Sequence, residues 1–309
     1  MKQQDMKAEP CGVLLVNKHA GVTSHDIVGA VRRLYQTRRV GHTGTLDPMA
    51  TGVLVVLIGR AAKACEYLSA DQKHYRAGLR LGLTTDTEDT TGTVLTTAEA
   101  IPTEAELTAV LPHFRGKIQQ IPPMYSALKV GGKKLVDLAR QGVTVERQAR
   151  EIEIFSLSAT PLATPTDVAL DVTCSGGTYI RTLCADIGAR LGCGGAMAML
   201  ERVETGGFSL AESHTLDELD ALSPDELASL LIPTEALFAS LPTLRLSAFY
   251  ERLCRSGCEI YQKKLGTSHP IGARVRICDA EGGFFALGEV REYEAGSAVK
   301  AIKTFSLDD

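Results

Sequence analysis

Apolar residues fill positions 12–16 almost without a break before Asn17 and Lys18, which predicts a short buried strand over residues 12–17. A turn at His19, Ala20 and Gly21 follows, and Thr23 or Ser24 can cap a helix whose apolar positions Ile27, Val28, Val31 and Leu34 recur at helical spacing. Residues 41–52 are rich in glycine and threonine and read as a loop that leads into a second buried strand over 53–58. Alternation over 73–81 sets Tyr75, Ala77, Leu79 and Leu81 on one face and His74, Arg76 and Arg80 on the other, as a half-buried strand requires.

Farther along, Thr103 with Glu106 and Ser223 with Glu226 have capping-box spacing, so helices are predicted after both. Val168, Leu170, Val172 and Cys174 alternate as a strand. Gly176 and Gly177 then open a helix predicted over 178–191 and ended by Gly192. Beyond about Leu241 the pattern changes to short strand-like runs at 274–278, 284–290 and 298–302. The expected architecture is α+β, a mixed and largely antiparallel central sheet flanked by helices, with a small β-rich C-terminal domain. The expected division is a domain over 1–240 and a smaller one over 241–309.

A length of 309 residues suits two domains, or one large domain with an appendage. Hydrophobic residues at 44% and charged residues at 23% match ordinary globular proteins, which removes collagen-like, coiled-coil and wholly disordered classes. No apolar run approaches the roughly 20 residues of a membrane span. The first ten residues lack the apolar core of a signal peptide, so a cytoplasmic, membrane-free protein is expected. Eight cysteines without a C-x-x-C pair are expected to be buried free thiols, and the histidines have no metal-ligand spacing. The net charge of −4 hides blocks: 12 basic against 6 acidic residues over 1–80, none against 6 over 81–112, 8 against 2 over 113–150, and none against 7 over 210–240. Such blocks can fold into a surface with a basic face for a polyanion. Neither common nucleotide-binding glycine fingerprint is present.

The candidate chemistry lies in Gly41-His42-Thr43-Gly44-Thr45-Leu46-Asp47-Pro48-Met49-Ala50-Thr51-Gly52, where three glycines and a proline frame one aspartate before a buried strand. Glycine permits left-handed backbone and close approach of another chain segment, and Pro48 restricts Asp47. A carboxylate held in this way is a candidate nucleophile or base. The alternative is that Asp47 stabilises its own turn. Residues 85–89 lack the glycine and final glutamate of a calcium loop and read as a capped turn.

That segment resembles, nearly letter for letter, the catalytic motif of the TruB family of tRNA pseudouridine-55 synthases. Four more stretches agree in order and spacing: Lys18 with Gly21-Val22-Thr23-Ser24; Lys73-His74-Tyr75 with Gly82 and Thr85-Asp86-Thr87; Ile121 to Lys129 (IPPMYSALK); and Gly177 to Leu183 (GTYIRTL). The similarity spans about residues 12–208 and is weak beyond Leu241, where the family has a PUA-like RNA-binding domain.

The resemblance implies a pseudouridine synthase fold and a cofactor-free, metal-free isomerisation of a uridine in the T-arm of tRNA, by a monomer without guide RNA. Asp47 matches the catalytic carboxylate, for which attack at uracil C6, attack at ribose C1′ and abstraction of a ribose proton are all open. The uridine must leave its stack. His42 matches the residue that fills the vacated space. Tyr75 matches the pocket aromatic, although core packing also explains its position. Arg181 matches the arginine that pairs with the carboxylate and is expected to keep it ionised. Leu200 matches an apolar wall, Tyr179 is carried over as a substrate-binding residue, and Lys18 is structural or phosphate-facing. Lys129, Lys133 and Lys134 belong to a basic, glycine-containing arm over 124–150 that matches a segment closing over the RNA loop.

His19, Gly176, Ala196 and Glu201 stand where the family often has proline, lysine, histidine and arginine, and three of these changes remove charged or hydrogen-bonding groups near the expected RNA path. Two other classes compete. An inert RNA-binding protein would have lost Asp47, Tyr75 or Arg181, and a glycosidase would need a second carboxylate beside Asp47. A guide-dependent, dyskerin-type enzyme would be expected to carry a long basic tail.

Overall fold

The computed structural model describes residues 9–68 and 72–305, and two sheets organise them. The polar start of the chain, residues 1–8, which carried most of the expectation about export, lies outside the described residues. The larger sheet has nine strands: β1 (Gly12–Lys18), β2 (Val40–Thr43), β3 (Thr51–Ile58), β4 (Lys73–Leu81), β5 (Gly116–Gln120), β6 (Arg150–Pro161), β7 (Asp167–Cys174), β8 (Gly195–Thr205) and β9 (Phe208–Ser209). Its main order is β1-β3-β8-β4-β7-β6-β5, with β2 added to β3 and β9 to β8. All pairings are antiparallel except β3 with β8, which meet in parallel at Thr51 and Gly52 opposite Glu201 and Arg202. The sheet is therefore mixed and largely antiparallel, as the sequence predicts.

Helices α1 (Ser24–Leu34) and α4 (Ile180–Leu191), with α2 (Glu104–Val110) beside α4, cover one face; the short α3 (Leu135–Arg140) lies in the arm. Thr23 is the N-cap of α1 and exchanges bonds with Asp26, a complete capping box. On the covered face Leu14, Val16, Leu54, Val56, Tyr75, Ala77, Leu79, Leu170 and Val172 pack against Ile27, Val31, Leu183 and Ile187. Alternate residues of β1 and β3 (Val13, Leu15, Val53, Val55, Leu57) point the other way and pack with Phe238, Leu287 and Phe305. The smaller sheet thus docks on the back of β1 and β3, which explains why those two strands read as continuous apolar runs.

The smaller sheet has five strands, in the order Thr243–Arg245, Arg274–Cys278, Phe284–Tyr293, Gly296–Thr304 and Ile260–Tyr261. The first pair is parallel and the others antiparallel. This is the expected β-rich C-terminal unit. No helix among the described residues is long and apolar enough to cross a membrane.

Four expectations need correction. The loop over 41–52 is shorter, because Val40–Thr43 pairs with β3, and His42 sits on a strand rather than on the loop with Asp47. Helix α4 starts at Ile180, since Tyr179 is extended (φ −101°, ψ 109°) and its N–H and C=O are both bonded by the Gln120 side chain. All eight cysteines are free, but Cys11, Cys65 and Cys258 are exposed. Ala196 is fully buried opposite Arg80 and so is not on a surface path for RNA.

Helix α4 lies so close to the start of β8 that a Cβ on Gly188 would fall on the backbone of Gly194 and Gly195. Gly188→Ala is therefore expected to lose about 1–3 kcal/mol of stability, the usual range for overpacking. Urea unfolding followed by far-UV circular dichroism checks this, and an unchanged midpoint would contradict the close approach.

Candidate active site

The Asp47 loop is built by pinning its backbone from below. Ser24, the first residue of α1, is buried; its Oγ donates to the Leu46 carbonyl at 2.9 Å and accepts from the Leu46 N–H at 2.8 Å. Lys18, at the end of β1, is fully buried, and its Nζ donates to the carbonyls of His19 (3.0 Å), Pro48 (3.3 Å) and Ala50 (2.5 Å). The Ala50 N–H closes a turn onto the Asp47 carbonyl at 3.0 Å. Lys18 thus takes the structural of its two expected places, under the loop, and is not phosphate-facing. With its backbone fixed, the Asp47 side chain bonds Arg181 rather than its own turn, which decides against the turn-stabilising alternative.

Arg181 enters from the first turn of α4 and is 5% exposed. Its Nε lies 2.9 Å from Asp47 Oδ2 and its Nη2 3.4 Å from Oδ1, a two-pronged pair. The same guanidinium donates to the Thr87 carbonyl at 3.0 Å and the Tyr125 carbonyl at 2.7 Å, so it ties together the loop, the 85–89 turn and the base of the arm. Asp89 Oδ2 stands 4.0 Å from Arg181 Nη1, held by bonds from Thr87 Oγ1 and from the N–H and Oγ1 of Thr91 to its other oxygen. Reading 85–89 as a capped turn was right for the turn and missed this second carboxylate.

Burial pushes the Asp47 carboxyl above the usual carboxylate range; Arg181 pulls it down, Asp89 pushes it up and Lys18 pulls it down, with a net upward direction. The guanidinium therefore offsets the desolvation of Asp47 without cancelling it. A carboxylate whose proton affinity is raised is a stronger base and nucleophile once ionised. His42 moves in the opposite sense: burial, then the charges of Arg202 and His25, lower its pKa and keep the imidazole neutral.

A cavity of about 760 Å³ opens over these groups. Its lining brings together His42, Asp47, Tyr75, Tyr179, Arg181, Leu200 and Lys134. Tyr75, 6% exposed, serves the core and the cavity wall at once. Lys129 and Lys133 are exposed on the small hairpin Lys129–Val130/Lys133–Lys134 and do not line the cavity, whereas Arg140 does. Glu201 pairs with Arg76 at 3.4 Å on the uncovered face of the sheet. Among the described residues no group of His, Cys, Asp or Glu is arranged to hold a metal ion. The sequence reading also passed over Arg202, a fully buried arginine behind the loop that bonds the carbonyls of Gly44 and Val53.

Lys18 has its pKa lowered to about 8 from 10.5, by burial foremost. Between these values the unfolded chain holds a proton that the folded protein has released, so this group's contribution to stability rises with pH across the window. The stability difference between the wild type and Lys18→Met is expected to grow in favour of the wild type by about 2 kcal/mol from pH 7 to pH 10. Urea unfolding at the two pH values reads it, and a constant difference would place the Lys18 pKa near that of a free lysine.

Comparison with known proteins agrees with this geometry. The chain matches the TruB family pseudouridylate synthase N-terminal domain over residues 32–180 and the tRNA pseudouridylate synthase B C-terminal domain over 181–239. A tRNA pseudouridine synthase B of Burkholderia mallei is 43% identical over 272 residues, covering 87% of this chain and 90% of that protein. One of Clostridium kluyveri is 43% identical over 249 residues, 81% and 85% of the two chains. The fold is also that of a solved Cbf5-Nop10-Gar1 complex (TM-score 0.74, 24% identity, 96% of this chain and 85% of that chain). Sequence, fold and the constellation around Asp47 converge: the chain belongs to the TruB family and is a pseudouridine synthase.

Proposed function

We propose that the protein converts the T-arm uridine at tRNA position 55 to pseudouridine, with Asp47 as the reacting carboxylate and without cofactor or guide RNA. The observation that carries this reading is the two-pronged Asp47–Arg181 pair at a cavity whose walls include Tyr75, Tyr179 and Leu200. In the reaction the C1′–N1 bond breaks, the uracil turns, C1′ joins C5, and the C5 proton leaves while N1 gains one. No electrons enter or leave. Such chemistry needs a fixed nucleophile or base and a place for a base taken out of its stack. The relatives' names supply the tRNA, and the cavity volume suits a nucleotide with part of its backbone.

Each side chain then has a task. Asp47 attacks C6 or C1′ or takes a ribose proton; Arg181 orients it and balances its charge; Tyr75 stacks on the uracil. His42, neutral and at the rim of the same cavity, fills the space that the flipped base leaves in the RNA. Tyr179 and Leu200 complete the walls. The arm over 124–150 closes over the loop with Lys129, Lys133 and Lys134 against phosphates, and the unit over 241–309 adds an RNA-binding surface to the catalytic domain over 1–240.

Mapping pseudouridine in tRNA incubated with the purified protein, without metal or nucleotide, tests the reading. The wild type should modify one T-arm uridine, and Asp47→Asn should make no product while binding tRNA within a few-fold of wild type, because phosphate and shape contacts supply most of the affinity. Turnover by Asp47→Asn would refute the role of the carboxylate.

The arm gives a separate expectation. Replacing Lys133 and Lys134 by alanine should weaken binding to all tRNAs alike and reduce the salt dependence by up to about two units of slope, roughly one per lost phosphate contact. Affinity measured from 50 to 300 mM salt decides; an unchanged slope would put the RNA elsewhere.

A further inference from the structure

Arg202 is the buried ionic group that the proposed chemistry leaves without a task. It is the largest side chain shielded completely from solvent. Nε donates to the Val53 carbonyl at 2.8 Å and Nη2 to the Gly44 carbonyl at 3.1 Å, while Nη1 has no hydrogen-bond partner among the described residues. A guanidinium buried on carbonyls alone is costly to desolvate. Because Nη1 has no accessible surface, Arg202 does not reach an RNA phosphate, and any influence it has on the reaction passes through its neighbours.

Those neighbours are the two sides of the active site. The loop that carries Asp47 begins at Gly44 beneath the guanidinium, where a Cβ would come to 3.2 Å from Nη1. It ends at Gly52 (φ +105°), where a Cβ would fall on the backbone of Arg202 itself. On the other side, Arg202 stands directly opposite Tyr75 in the register of β8 and β4, so the two side chains leave the same face of the sheet about 5 Å apart at Cβ. One residue therefore abuts both ends of the Asp47 loop and flanks the aromatic ring across the cavity from it. Its charge is also the leading influence that opposes the burial-driven rise in the Tyr75 pKa.

We propose that Arg202 is a positioning residue that fixes the Asp47 loop relative to Tyr75 and offers its free Nη1 hydrogen to the Tyr75 hydroxyl oxygen while the uridine reacts. This rests on the reading of Asp47 and Tyr75 given above. It goes beyond that reading in placing the alignment of the two groups in one guanidinium that never meets the substrate. Lysine keeps the charge but cannot span both carbonyls and the phenol, and methionine keeps only the bulk.

The test compares wild type, Arg202→Lys, Arg202→Met and Asp47→Asn on a tRNA transcript, measuring single-turnover pseudouridine formation and RNA affinity separately, with circular dichroism melting as the check on folding. Both Arg202 variants should bind RNA within about threefold of wild type. Arg202→Met should react at least about a hundredfold more slowly, as for loss of one preorganised donor, and Arg202→Lys should fall between it and the wild type. A folded Arg202→Met variant that reacts within about threefold of wild type, or a loss found entirely in affinity, overturns the proposal. If the methionine variant does not fold, Arg202→Lys with a wild-type rate overturns it. A wild type that leaves the T-arm uridine unmodified, or an active Asp47→Asn, strikes the functional reading instead and is seen in the same experiment.

Discussion

The active site depends on the bond between Asp47 and Arg181, because it joins two parts of the chain that the sheet alone would leave adjacent but independent. One partner sits on a loop between β2 and β3, and the other on the first turn of α4. Desolvating two charges costs more than a simple pair returns, so the pair holds only because further polar groups are also arranged for it. Thr87 and Tyr125 offer carbonyls to the guanidinium, and Thr91 and Thr87 hold Asp89 near it. As Tyr125 begins the basic arm, the position of the arm and the basicity of the carboxylate are set through the same guanidinium.

The rest of the fold makes that arrangement stiff. Lys18, Ser24 and Arg202, from β1, α1 and β8, each bond backbone atoms of the loop. These are bonds from buried donors to carbonyls, with no exposed side chain to reorganise. The loop also runs into β3, which like its neighbour β1 is buried on both faces, and so it is anchored in a densely covered part of the molecule. In the proposed reaction, a carboxylate that must meet one atom of a flipped nucleotide gains more from this rigidity than from any single contact.

Much of this was legible in the sequence where local rules suffice. The cap at Thr23, one of two residues offered, the capping boxes at Thr103 and Ser223, the αL glycine at 192, and the alternation of residues 73–81 all came out as read. Short strands such as β2 and β5 escaped, and so did two long ones whose parity changes midway. β6 loses register between Ile154 and Ser156, and β8 does so twice, between Met197 and Met199 and between Arg202 and Glu204, so neither keeps a period of two long enough to be recognised. β8 is also the strand that carries Arg202, and a lone arginine in a run of mixed polarity reads as surface. Asp47 stood out through its glycine- and proline-framed loop, but Tyr75, Tyr179, Arg181 and Leu200 were found as cavity residues through motif resemblance, since composition carries no trace of a contact between residues 47 and 181.

The charge of the chain makes sense once it is resolved in space. A net charge of −4 would repel a polyanion at long range, yet the acid and base are segregated along the sequence. Lys134 and Arg140 of the arm line the cavity, Lys18, Arg181 and Arg202 lie in or behind its walls, and Asp47 is the carboxylate that lines it. Lys18 and Arg202 have no exposed surface with which to reach RNA, and Arg181 has little. In the proposed reaction their effect is to bring a fixed positive potential to the place where charge shifts between carboxylate and base, in surroundings with little water to screen it. That division of labour, exposed cations for capture and buried cations for chemistry, follows from burial alone, because a lysine at the rim can move with the RNA while a guanidinium bonded to two backbone carbonyls cannot.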